Sequence, residues 1–321
     1  MSATFTGGVT ISGGWTLTAA PPTTATAGWW GAGQVISNVQ RVTFATDTAT
    51  ASVRGPLNSA SYFYGLTATG TLTSGWYGGG IAPGVGSLST VQRITYATDT
   101  ATASVKGPLS LARQYLAAST DGTTYGWFGG GGTGGTRFST VDRITYATDT
   151  DTASVRGPLS IIRVRVSATG NSTNGYFGGG YTYPSPLSTI DRITYATDTD
   201  TASVRGPFNT ATGFQAASTD GTTYGWFAGG GPSPLSLVQR ITYATDTATA
   251  SLRGSLTSSR YGIAASGDST YGWFGGGRDP AVSDTVTTID RITYATDTAT
   301  ASVRGPLNTK TTLSGAASGA Q

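Results

Sequence analysis

The chain has 321 residues, 37% hydrophobic and only 11% charged, and its 19 Lys and Arg against 16 acids leave a formal charge of +3. It contains no Cys and no His, and every acid is Asp, which excludes disulfides, thiolate or imidazole metal sites and the commonest general acid-base residues. An enzyme is therefore not expected, no cofactor or metal is implied, and the small charge without a lysine run gives nucleic acid little to hold.

Residues 1–26 stand apart from the pattern that fills the rest of the chain. FTGGVTISGGWTLTAAPP alternates Val9, Ile11, Trp15 and Leu17 with polar or glycine positions and breaks at Pro21-Pro22, which reads as an extended, strand-forming arm and linker. The N-terminus has neither the basic start nor the apolar run of a secretory signal, and no segment approaches a membrane span. Synthesis in the cytoplasm, without membrane insertion, is the expectation.

The remainder, residues 27–321, is one repeat. The fifteen residues RVTFATDTATASVRG beginning at Arg41 return almost unchanged at Arg93, Arg143, Arg192, Arg240 and Arg291. Units of about 50 residues built from short strands bury their apolar faces against one another in a radial or solenoid array. In one unit the strands read Arg113–Ser119, Tyr125–Gly130, Thr140–Ala147 and Thr152–Gly157. Asp121-Gly122, repeated at Asp220-Gly221, is a hairpin signal of the type I′ kind, with positive φ expected at both residues. The Asp of each TDT (Asp47, Asp99, Asp149, Asp198, Asp246, Asp297) is read as holding its own turn. Alternation in RITYA and TASVKG predicts an apolar hairpin face with Ile94 opposite Val105 and Tyr96 opposite Ala103.

After the sixth core only TTLSGAASG (Thr311–Gly319) remains, which matches a first strand alone, while AGWWGAG (Ala27–Gly33) matches a second strand. One blade must then combine a C-terminal strand with three N-terminal ones, closing a ring and removing its edges. The fold class is all-β: a six-bladed β-propeller of four-stranded antiparallel blades. The unit resembles the kelch repeat in Trp127, Phe128, Gly129, Gly130, Tyr146, Gly157, Pro158 and Leu159. It departs where that repeat carries a fourth-strand Trp, since Ser154 stands there. The resemblance implies a propeller over about residues 27–319. It does not imply the copper chemistry of the galactose-oxidase relatives, whose His and Cys are absent.

The connections between second and third strands vary: IAPGVGSLS, TGGTRFS, YTYPSPLS, PSPLS and RDPAVSDTVT. Loops on a rigid scaffold carry binding function, so a binding site is expected on that face near Arg137, Phe138, Tyr181, Tyr183, Arg278 and Asp279. Twelve basic residues fill two fixed slots per repeat, from Arg41/Arg54 to Arg291/Arg304, and lie cross-strand. Like charges so placed need a carboxylate or anion between them. Trp76, Trp127, Tyr176, Trp226 and Trp273 share one strand position and read as packing between blades. TDTDT lacks the Gly and bidentate acid of a calcium loop. The style of the N-terminal segment resembles structural proteins of tailed bacteriophages. That resemblance implies a non-enzymatic virion component, in a tail fibre or decorating a capsid, bound to other virion proteins through its arm and meeting a host-surface glycan. The alternative is a free carbohydrate-binding propeller lectin that uses the aromatics and arginines between blades.

Overall fold

A computed structural model describes residues 10–11, 15–16, 24–33, 36–58, 64–231 and 233–318. Six four-stranded antiparallel sheets form the body. From innermost to outermost strand, blade I comprises Gly315–Ala317, Ala27–Gly33, Ile36–Thr43 and Ser52–Pro56. Blade II comprises Tyr64–Gly70, Ser74–Ala82, Val91–Thr95 and Ser104–Lys106, and blade III Ala117–Thr120, Tyr125–Gly129, Val141–Thr145 and Ser154–Arg156. Blade IV follows with Ser167–Gly170, Asn174–Gly178, Ile190–Thr194 and Ser203–Arg205, and blade V with Ala216–Thr219, Tyr224–Ala228, Val238–Thr242 and Ser251–Leu252. Blade VI has Ala264–Gly267, Tyr271–Gly275, Ile289–Thr293 and Ser302–Arg304. Each innermost strand touches those of the blades before and after it, and the series closes from blade VI through blade I to blade II. Closure is covalently split: Ala317 pairs with Trp29 and Gly315 with Gly31, so the ring is sealed by one C-terminal strand on three N-terminal ones. Of residues 1–26, the described part holds a short antiparallel pair, Thr10–Ile11 with Trp15–Thr16, and the lead-in residues 24–26; the rest of the expected arm, Pro21-Pro22 included, lies outside the described residues.

Strand alternation explains how a blade serves two neighbours. Successive side chains point to opposite faces, so Trp127 turns toward blade IV, where it stacks on Tyr195 at 3.8 Å. Phe128 turns back toward blade II, covering Gly78, where a Cβ would lie 2.7 Å from its ring. Both are fully buried. The apolar clusters accordingly straddle blade boundaries: Trp127, Val141 and Leu159 pack with Phe177, Ile193 and Ala202.

Three local expectations are corrected. The third-to-fourth register is Arg93 to Ser104 and Gln92 to Val105, two residues from the predicted pairing. The cause is Tyr96, which leaves the strand for a 3-10 turn, Tyr96–Thr98, to lie flat on Trp29 of blade I at 3.5 Å. Val105 is consequently on the outer rim and 53% exposed. The Asp121-Gly122 hairpin is not type I′, because only Gly122 has positive φ (+81°). Instead Asp121 Oδ1 accepts the N–H groups of Thr123, Thr124 and Tyr125 at 2.8–3.0 Å, an Asx-type turn. The TDT aspartates do not hold their own turns with their carboxylates, which face the neighbouring blade.

Candidate functional site

The repeated chemistry lies between blades. Asp149 Oδ2 of blade III accepts Trp76 Nε1 at 3.0 Å and Arg93 at 2.9 Å, both from blade II, and Lys106 Nζ reaches Oδ1 at 3.2 Å. The same hub recurs at Asp99, Asp198, Asp297 and Asp47, each taking a Trp and two Arg from the blade before it. At Asp246 the Tyr176 hydroxyl replaces the indole. A backbone bond reinforces each hub, as where Gly107 N–H donates to Asp149 O at 2.8 Å. That glycine is fixed sterically, since a Cβ would meet Asp151 O at 1.9 Å. The two cations are not directly opposite, as the expected register had them, because Arg93 pairs with Ser104 and Lys106 with Val91; as diagonal neighbours they share the carboxylate that lies between them.

A second device sits inside individual blades. Arg113, fully buried, donates to Asp142 at 2.7 Å and to the carbonyls of Gly130 and Thr140 at 2.7 Å each. Arg163 with Asp191 and Arg260 with Asp290 repeat the arrangement. Burial pulls these guanidinium groups below the usual arginine range, and the partner carboxylates work against that shift. Blade V places Gln239 where the Asp would be and Thr212 where the Arg would be; blade I does so with Gln40 and Thr311. Sequence reasoning missed this coupling, although the alternation of VDR or IDR with VQR between repeats carried the signal.

Among the described residues, eleven arginines and Lys106 meet hub carboxylates and three lie in the buried pairs, which leaves Arg137, Arg165 and Arg278 without an ion pair. All three are on the face that carries the variable connections. At the axis on that face the lead-in residues of the six innermost strands form a collar. Tyr115 N–H donates to Gly65 O (2.6 Å), Arg165 to Tyr115 (2.7 Å), Phe214 to Arg165 (3.1 Å), Gly262 to Phe214 (2.9 Å), Leu313 to Gly262 (2.7 Å) and Gly65 to Leu313 (2.8 Å). The six bonds close on themselves. All six residues have positive φ, between +56° and +68°, although four are not glycine. Such backbone costs about 1 kcal/mol or more per non-glycine residue and persists where surroundings over-determine it. Below the collar a cavity of about 100 Å³ runs between the innermost strands.

Side chains of three successive collar residues fill one side of the mouth. The Arg165 guanidinium lies 4.1 Å from the Phe214 ring centre, with Tyr183 at 4.9 Å, Tyr181 at 5.3 Å and Tyr115 at 5.6 Å. Its Nε is buried without a hydrogen-bond partner. Arg137 approaches the same Tyr183 ring, 4.8 Å from its centre. Burial raises the Tyr115 and Tyr181 hydroxyls above the ordinary tyrosine range, with Arg165 opposing, so both stay protonated donors at neutral pH. Tyr181 reaches the mouth because its backbone bridges Val164, the residue before Arg165.

Of the residues singled out from sequence, Arg137, Tyr181 and Tyr183 therefore converge on Arg165. Tyr183 is 43% exposed and Tyr181 buried. Phe138 is half-buried, its carbonyl taken by Arg163 N–H. Arg278 and Asp279 lie on a separate small hairpin of blade VI with Asp284–Thr285; Arg278 is exposed, while Asp279 is buried and caps Ala281 N–H at 2.8 Å. Arg165, Tyr115 and Phe214 were not anticipated. Their slot holds Gly in two repeats and four different residues in the others, and only that variability in an otherwise constant chain marked it. No family model matches the chain, and no curated protein matches its sequence.

Proposed function

We propose that this kelch-type propeller is a non-enzymatic structural or adhesion module of a larger particle, a tail-fibre or capsid-decoration component of a tailed bacteriophage. Its arm binds other virion proteins and its variable loop face meets the host surface. The observation that carries the reading is the distribution of charge. The repeated acids and bases are engaged in holding blades together, and the three arginines left without ion pairs all sit on one face. A rigid ring with one chemically unsatisfied face suits display better than turnover. A lectin built on the aromatics between blades is less well supported, because Trp127, Trp226 and Trp273 are fully buried in stacks and bonded to aspartates.

The test is a comparison of full-length protein with a variant lacking residues 1–26, by cryo-electron microscopy of particles from the native source. The expected result is propeller density on particles with the full chain and none with the shortened one, which remains folded in solution. Incorporation of the shortened chain, or particles without propeller density in both cases, would overturn the proposal.

A further inference from the structure

We infer that the collar mouth is a binding site for the carboxylate of an acidic saccharide, held by the Arg165 guanidinium and packed against the exposed part of Tyr183. This rests on the reading of the loop face as the displayed one and names what that face takes.

Three observations lead there. First, among the described residues Arg165 has no ion pair and its guanidinium meets only aromatic rings. In a chain whose other inward-facing arginines all meet a carboxylate, an arginine left in this state presents a planar set of donors suited to a bidentate anion. Arg137 adds a second cation over the same Tyr183 ring, and no carboxylate lies within ion-pair distance of either among the described residues. Second, Tyr183, whose ring lies under both Arg165 and Arg137, is still 43% exposed, so apolar surface beside the charge stays open to solvent. A uronic-acid ring offers the matching pair: a carboxylate on a pyranose with an apolar C–H face. Third, the collar excludes an extended peptide added by strand pairing. Its six amides and six carbonyls are closed in a ring, so the collar itself offers no backbone edge to pair with one.

The experiment is isothermal titration of the full chain with a uronic-acid trisaccharide, a neutral trisaccharide, acetate and an Asp-rich tetrapeptide. Saturable binding of the uronide is expected, at least about tenfold tighter than the neutral sugar or acetate. Arg165→Gln should abolish it and Arg165→Lys should weaken it about tenfold, because the charge remains but the fork is lost. Tyr183→Ala should weaken it while leaving the circular dichroism unchanged; Tyr183 is a loop residue, so this variant tests the site even if Arg165 variants misfold. Equal binding of uronide and neutral sugar, tighter binding of the tetrapeptide, or uronide binding indifferent to both positions would overturn the inference. Particle incorporation and uronide binding of the unaltered full chain separate the two proposals. If the full chain incorporates but binds no uronide, only the ligand assignment fails; if it binds uronide but no propeller density is found on particles, only the virion reading fails.

Discussion

Arg113 and Asp142 make the sharpest residue-scale test, since the molecule contains its own control. Removing one partner of a buried pair strands a charge, and Asp142→Ala should lower stability by about 3–5 kcal/mol in urea unfolding. The double change Asp142→Gln with Arg113→Thr copies blade V, where Gln239 and Thr212 occupy these places. It should recover most of that loss, because no unpaired charge remains; a double variant as unstable as the single one would show that the arrangement is not exchangeable between blades. The tyrosines give a pH test. Burial raises Tyr77, Tyr96, Tyr146, Tyr195, Tyr243 and Tyr294 above the ordinary value of about 10, and for Tyr the form lost on titration is the neutral one. Above that pH the unfolded chain releases protons that the folded chain keeps, so stability falls as pH rises. The melting temperature should fall steadily above pH ~10, with tyrosinate absorbance from these rings rising only on unfolding; early titration of all tyrosines in the folded protein would contradict it.

At the scale of the element, legibility from sequence depended on whether a residue served its own blade or the next. The four strands and the split closing blade could be read because period-two alternation and the Gly-rich strand ends are local. The register of the outer hairpin could not. Tyr96 alternates correctly with Ile94, yet the ring of Trp29 some 67 positions earlier draws it into a turn. For the same reason the TDT aspartates looked like turn residues, when their acceptors point across a boundary that no local pattern records. The axial cluster was legible only in part: loop variability pointed to Tyr181 and Tyr183, whereas Arg165 sits in a run, RVRV, that reads as an ordinary edge of a strand. The closing strand is the element whose loss should matter most. Deleting residues 313–321 removes both the Ala317–Trp29 pairing and two of the six collar bonds, those made by Leu313. The expected loss exceeds about 4 kcal/mol, with dye binding and light scattering reporting an opened ring; an unchanged urea midpoint would show that the strand is dispensable.

For the whole molecule, near equivalence of the blades means that the position of the chain ends is arbitrary. Ser318 and Ala27 flank a gap equivalent to the Asp121–Thr124 turn of blade III. A circular permutant that joins them with a four-residue turn and opens the chain at Asp121-Gly122 should fold to the same ring, its melting temperature within a few degrees of the parent without its arm. Failure to fold would show that blade I is special in assembly.

Every hub runs in one direction. A blade gives two cations and an aromatic donor to the blade after it and receives the same set from the blade before. In the language of symmetry this is a heterologous, head-to-tail contact between two unlike surfaces, which closes when the rotation per unit fits and otherwise continues as a filament. Here one covalent chain supplies all the units, and the last seal is a strand of three residues, Gly315–Ala317. A molecule whose seal swings out offers that strand to a second copy and the vacated groove to a third. The geometry that closes one chain into a ring therefore also encodes a route to strand-exchanged polymers, held off by the proximity of the closing strand to its own groove.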